Sequence, residues 1–511
     1  MGTRAGKREW IGLAVLALPT LLVSIDVFVL LLALPRLSAD LGASSTEQLW
    51  IMDVYGFLVA GFLITMGTLG DRIGRRRLLL IGAAGFGAAS VLAAYSTSAP
   101  MLIAARALLG VAGATLAPST LGLISNMFTV PRQRAAAIGV WMACFMSGAA
   151  LGPLVAGILL DHFWWGSVFL LGVPAMVLLL VLGPLLLPEY RDTTAGRVDL
   201  PSVALSMAAI LPVVYGVKEL TRGGWAPLPL AAVVAGVVFG WVFARRQRGL
   251  ADPLLDLSLF ARRAFSAALG SMMFGTMLMG AIMMFIAQYF QLVHGLSPLR
   301  SGLCMLPGIG GSLVSFLVSP HLTRWARPAY LIGGGMIVSV GGMLLISQAG
   351  PVSGLTAVMA GFAITNLGAG PMVTLGTDLV VGSAPVERAG SAGAMNQTSG
   401  ELGFALGIAA LGSVGTAVYR AKITVPAGVP AAEARDSLAG AVAVAGRLPV
   451  RQSAPLLDSA RAAFTSGMHV AAGISAVLLV VVAVVVGTLL RHTGGAEVPA
   501  ATAGEPEPVR A

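Results

Sequence analysis

GTLGDRIGRRRLLL, residues 67–80, sets one Asp and four Arg between two long apolar runs. Upstream, Trp50 to Leu69 carries no charge except Asp53, and downstream Leu78 to Tyr95 carries none. Roughly 20 apolar residues suffice to cross a bilayer as a helix, so the stretch reads as a tight, water-exposed loop joining two membrane helices. Arg72, Arg75, Arg76 and Arg77 place that loop on the cytoplasmic side, because short loops rich in Lys and Arg stay there. The orientation of every other segment follows from this one.

The composition agrees. A chain of 511 residues that is 57% hydrophobic and 11% charged, with mean hydropathy +0.88, has more apolar side chain than a soluble core can hide. Its net charge of +10 would suggest nucleic acid in a soluble protein. Here the Lys and Arg gather in segments read as cytoplasmic, without aromatic interleaving, so topology and anionic lipid explain the excess and nucleic-acid binding is discarded. Cys144 and Cys304 fall in separate membrane helices and are expected as free thiols. The apolar run from Ile11 to Leu34 is too long for a cleavable signal and reads as the first span.

Counting onward predicts fourteen spans, at about 11–33, 50–69, 78–95, 101–124, 136–160, 167–187, 201–220, 227–244, 264–292, 302–320, 329–347, 355–376, 393–419 and 468–490. Charge and parity then agree at each short loop, through Arg132 and Arg134, Arg324 and Arg327, Arg388 and Arg491. The expected organisation is a cytoplasmic N-terminus (1–10), an N-terminal six-helix bundle (11–187) and cytoplasmic linkers around an inserted two-helix hairpin (188–263). A C-terminal six-helix bundle (264–491, with an external loop at 420–467) and a disordered cytoplasmic tail (492–511) complete it. Within the external loop, 431–445 and 456–464 read as short amphipathic helices. A faint internal repeat sets Val318 to Gly333 against Gly67 to Gly82, with Leu322 where the first half has Asp71.

Ionisable groups inside membrane helices are costly and point to function. Asp26, Asp53 and Glu401 are the candidates to carry a proton at one step and a cationic substrate at another. Asp378, near the cytoplasmic end of its helix, is better placed as a gate or cap. Arg106, the one basic residue well inside the fourth span, needs an acid or carbonyl partner. Met272, Met273, Met277, Met279, Met283 and Met284 give the ninth span a shape-adaptable surface suited to many ligands or to gap-filling. Phe28, Trp50, Tyr55, Met273 and Met277 are candidate pocket walls, the aromatics able to meet a cation on the ring face.

Several of these residues carry a family resemblance. Gly67, Leu69, Asp71, Arg72, Gly74, Arg75 and Arg76 resemble the G-x-L-x-D-R-x-G-R-R pattern between helices 2 and 3 of the major facilitator superfamily. Leu102, Arg106 and Gly110 resemble its helix-4 pattern, with Leu109 where Gln is usual. Gly148, Gly152, Pro153 and Gly157 resemble the helix-5 pattern of its proton-coupled exporters, with Ala156 where Gly is usual. Ile25 to Pro35, IDVFVLLLALP, resembles the helix-1 signature of the fourteen-helix drug:proton antiporters, with Phe28 for Thr and Leu31 for Asn.

The resemblance implies an all-α major facilitator fold with both termini cytoplasmic, in the bacterial cytoplasmic membrane. It implies export of amphipathic, mostly cationic compounds such as quaternary ammonium compounds, dyes and fluoroquinolones in exchange for protons. Asp71, its glycines and arginines and Asp378 would form a cytoplasmic latch, and Gly148, Gly152, Pro153 and Gly157 a rocking seam. A narrow exporter of an endogenous metabolite or antibiotic remains the alternative. No metal-ligand spacing, phosphate loop or catalytic constellation is present, so neither an enzyme nor a cofactor is expected; lipids, protons and small molecules are the expected partners of a monomer.

Overall fold

The structure, a computed structural model, describes residues 5–189, 191, 199–223, 226–250, 257–351, 353–382 and 389–489. Arg197, Arg388, Arg491 and the tail 492–511, and the side chains of Phe28, Asp71, Arg132 and Arg134, lie outside the described residues. Within membrane no water satisfies the backbone, and every described segment of span length is accordingly a helix. They are α1 (Lys7–Leu41), α2 (Ser45–Ile73), α3 (Arg75–Ala94), α4 (Ala99–Met127), α5 (Pro131–His162) and the broken rod α6 (Ser167–Leu170) and α7 (Gly172–Leu186). Then come α8 (Leu200–Gly223), α9 (Pro227–Gln247), α10 (Arg263–Gln288), α11 (Pro298–Leu322), α12 (Pro328–Ile346), α13 (Leu355–Gly382) and α14 (Ala389–Lys422). Two short helices, α15 (Ala431–Asp436) and α16 (Leu438–Ala445), precede α17 (Val450–Leu489). Eleven of the described helices are long and apolar enough to cross a membrane.

The arginine stretch is tighter than a loop. α2 ends and α3 begins on the single residue Gly74, whose φ of +111° is a conformation L side chains rarely adopt. α1 is longer than its apolar run predicts, passing through Pro35 to end at Gly42 (φ +62°), and α2 starts on a Ser44–Glu47 capping box. α17 also extends beyond prediction. Its 40 residues make a rod of about 60 Å, twice the hydrocarbon thickness, so 456–464 is its first part and not a separate helix.

Two groups of helices pack internally. In the first, α1 lies on α5 and α7, α2 on α4, and α3 on α4 and α7; in the second, α10 lies on α14, α11 on α13, and α12 on α13 and α17. The groups meet along α2–α14 and α5–α11. α8 straddles the first of these seams, touching both α2 and α14, with Met207 filling the notch left by Gly61. α9 leans on α8 through Gly216 and Gly236, where a Cβ would come within 2.5 Å of Val233 Cγ2 and Val213 Cγ2 respectively. Without a hydrophobic force between helices in lipid, such close backbone approach is what holds the pair.

Candidate functional site

The charged site lies where α1, α2, α4 and α14 converge. Arg106 is 1% exposed, and its Nη1 donates to Asp26 Oδ2 at 2.6 Å. Its Nε donates to the Ile51 carbonyl at 3.3 Å, and its Cζ stands 4.6 Å from the centre of the Tyr55 ring. An acid, a carbonyl dipole and a ring face together neutralise a guanidinium that would otherwise be hard to bury. Glycines make this geometry possible. A Cβ on Gly110 would come within 2.7 Å of the Tyr55 carbonyl oxygen, and one on Gly113 within 3.1 Å of the Tyr55 hydroxyl, so α4 approaches α2 closely only without side chains there.

Across the seam, Glu401 sits half-buried on α14 and makes no hydrogen bond or ion pair among the described residues. Its backbone abuts α2: a Cβ on Gly56 would stand 3.9 Å from the Glu401 carbonyl oxygen and 3.2 Å from Ala405 Cβ. Tyr55, the neighbour of Gly56, is within electrostatic range of Asp26, Arg106 and Glu401 together. Asp53 is fully buried on α2. Trp50 joins the apolar cluster of Phe57, Ala405 and Ala409 that seals α2 against α14.

Tyr55, expected as a wall for substrate cations, has Arg106 on its ring instead. Met273 and Met277 are half-buried, and their carbonyl oxygens are covered by Gly403 and Gly407 of α14, which brings α10 and α14 into backbone contact. On α5, Gly157 packs on Leu299 and the Pro153 carbonyl on Gly302, both of α11, and Gly152 is buried. Gly148 faces its own group: a Cβ there would lie 2.5 Å from the Leu21 carbonyl oxygen of α1.

At the arginine end, Arg75 donates to the Pro118 carbonyl at 2.5 Å and lies over Gly122, where any side chain would overlap the guanidinium. Arg76 reaches the Leu187 carbonyl at 3.0 Å and Glu189 at 3.4 Å, while Glu189 also accepts from the Arg76 amide at 3.2 Å. That carboxylate offsets the run of cations at the start of α3, where the helix dipole disfavours positive charge. Gly67 stands over Pro118, Arg72 is exposed at the end of α2, and Asp378 is exposed on α13.

Sequence reading missed a cluster at the opposite end. Asp436, the last residue of α15, accepts from the Ser45 amide at 2.5 Å, from Ser45 Oγ at 3.2 Å and from Arg420. Arg420 also donates to Ser45 Oγ at 2.8 Å, and Gln48 Nε2 to Ser437 Oγ at 3.3 Å. Tyr419 fixes the turn, its one hydroxyl proton shared between the Ala434 carbonyl at 2.8 Å and the Ser437 carbonyl at 3.1 Å. Thus 420–445 folds over the start of α2 and ties it to the end of α14. Its partners stand 16 and 391 residues from Asp436, which no local pattern announces.

A many-span helix bundle with an ion pair inside one helix group, and an acid of the other group across a close seam, defines a membrane transporter. The chain belongs to the Major Facilitator Superfamily, whose pattern matches residues 16–408. It is similar to the multidrug efflux pump LfrA of Mycolicibacterium smegmatis, 45% identical over 96% of this chain and 98% of that one. It is also similar to the methyl viologen resistance protein SmvA of Salmonella typhimurium (36% identical, 93% and 97% covered) and to the tetracenomycin C resistance and export protein of Streptomyces glaucescens (32% identical, 97% and 96% covered). Among solved structures it shares its fold with a bacterial homologue of the lysosomal transporter Spinster (TM-score 0.67, 16% identical, 96% and 98% covered). A peptide transporter, POT, is also alike (TM-score 0.63, 17% identical, 94% and 95% covered). The chain is a multi-pass protein of the bacterial inner membrane.

Proposed function

We propose that this protein exports amphipathic, mostly cationic compounds in exchange for protons. The observation that carries the coupling is the difference between its two site acids: Asp26 is held by Arg106, whereas Glu401 makes no hydrogen bond or ion pair among the described residues, which leaves its carboxyl free to take either a proton or a cation. An exchanger needs a carboxyl that cannot hold both at once. Full-length similarity to LfrA and SmvA supports the substrate class. Asp53 lies buried on the same helix as Tyr55 and belongs to this charge set.

The reading includes fourteen spans with both ends cytoplasmic, supported by the span-length rods α1 to α5, the α6–α7 pair, α8 to α14 and α17. It makes α1 to α7 one six-helix bundle, α8 and α9 the inserted hairpin, and α10 to α14 with α17 the other bundle. The Gly67–Arg76 stretch and Asp378 then serve the cytoplasmic side as a latch, and Gly152, Pro153 and Gly157 the rocking seam, in a monomer that needs no cofactor.

Uphill ethidium efflux from vesicles, with and without an imposed proton gradient, tests the proposal. Gradient-dependent efflux in wild type, lost in Glu401→Gln, is the expected result. Efflux that ignores the gradient, or survives in that variant, overturns the coupling. Similarity to the tetracenomycin C export protein favours a second reading, a narrow exporter of an endogenous antibiotic. A panel in which tetracenomycin C and not organic cations is exported would select it.

A further inference from the structure

The two site acids belong to different helix groups, yet one dipeptide of α2 touches both sites. Tyr55 puts its ring under the Arg106 guanidinium, at 4.6 Å, and is 3% exposed. Gly113 leaves room for its hydroxyl, and the close approach at Gly110 fixes its backbone against α4. Gly56 faces the other way, where its lack of a side chain lets α14 come within contact at Ala405 and at the Glu401 carbonyl. Phe57, the next residue, is fully buried against Ala405 and Ala409. A shift of α14 on α2 therefore moves the backbone that carries Tyr55, and Tyr55 sets where Arg106 stands relative to Asp26.

We propose that Tyr55 and Gly56 are positioning residues that couple Glu401 to the Arg106–Asp26 pair across the seam between the helix groups. The inference rests on the exchange reading above. Tyr55 acts as a lever as well as a charge partner: its ring face attracts the guanidinium, and its chain neighbour is pinned by the partner helix. The ionisable groups around it are Asp26 of α1, Arg106 of α4 and Glu401 of α14. Coupling of this kind appears as non-additivity that follows the ring face, present for a substitution that removes it and absent for one that keeps it, together with a moved titration midpoint, which a residue serving packing alone does not produce.

The test compares Tyr55→Phe, which keeps the ring face, with Tyr55→Leu, which keeps apolar bulk without it, each alone and combined with Glu401→Gln in purified full-length protein. Two quantities are read: ethidium affinity, and the midpoint of the drug-free pH titration followed by tryptophan fluorescence. Tyr55→Phe is expected within twofold of wild type in affinity, with an unmoved midpoint. Tyr55→Leu is expected to move the midpoint by about half a unit or more, and its effect on affinity to change at least fivefold when Glu401 is already Gln. Additive effects within twofold, together with an unmoved midpoint in Tyr55→Leu, overturn the proposal. If Tyr55→Leu does not fold, Gly56→Ala carries the same cycle, since its added Cβ asks Ala405 to give by only a few tenths of an ångström. Wild type that titrates but does not bind ethidium refutes the substrate reading, while the midpoint comparison still decides the coupling.

Discussion

Asp26 and Glu401 are both acids in membrane helices, and the structure treats them differently. Asp26 is one member of a set that includes Arg106, the Ile51 carbonyl and the Tyr55 ring. Glu401 makes no hydrogen bond or ion pair among the described residues, on a helix whose small residues press it against α2 and α10. A buried pair is stable as a pair and costly to break, whereas an unpaired acid is costly to keep charged and is poised to change its partner. The first group thus holds a fixed charge set, and the second presents the exchangeable one.

The comparison can be broken most sharply at Arg106. Arg106→Leu strands Asp26 without its cation, and losing one partner of a buried pair costs about 3–5 kcal/mol. A marked fall in thermal stability in detergent is the expected outcome; unchanged stability would show that the pair holds nothing. Glu401→Gln is expected to do the opposite. Efflux driven by a proton gradient should drop by more than tenfold while the unfolding temperature stays near wild type, because no ion pair among the described residues is broken. A variant that lost stability instead would place Glu401 among the structural acids.

A smaller effect is expected at the cluster opposite the arginine end. Asp436→Asn keeps the shape but weakens charge-assisted bonds to Ser45 and Arg420, each worth about 1.5–3 kcal/mol at most in a half-exposed setting. Cleavage within 420–467 by added protease should become several times faster. Unchanged cleavage would show that the fold of α15 and α16 does not depend on this clamp.

The smallest effect concerns the hairpin end, where Asp199 lies 2.9 Å from Arg246. The Arg246 guanidinium, with Ser202, holds the Asp199 carboxyl below its ordinary range. A depressed carboxyl stabilises above its unfolded value and loses that contribution only as pH falls through the lowered one. Because Arg246 is exposed, solvent screens the pair. Asp199→Asn should therefore leave stability between pH 5 and 8 nearly unchanged and flatten only its decline below about pH 4. A clear loss near neutrality would mean that the pair does more than close the hairpin.

Much of the fold was legible because it depends on local properties. Apolar length marks spans, and the charged stretch 67–80 marks the break between α2 and α3, although that the break narrows to Gly74 alone was not visible in it. Arg106 announced its need for an acid or carbonyl and received both. Other features gave no sign. Gly122 reads as one small residue among many until Arg75 is laid over it, and Glu189 reads as linker until it caps the arginines of α3. The helical character of 431–445 was visible in its amphipathic pattern, but its clamp on Ser45 was not.

Hydropathy, the distribution of Arg and the cost of placing Asp, Glu or Arg in lipid are properties of each stretch by itself, so the sequence alone determined an all-helical membrane protein and its short set of candidate charges. Which charges are paired depends on side chains brought together from far along the chain: 80 residues separate Asp26 from Arg106. Only the packing of α1, α2, α4 and α14 decided that Asp26 is held, that Glu401 has no ion pair among the described residues, and that Tyr55 is in electrostatic range of both, because such pairing depends on distance in space and burial, which sequence spacing does not contain.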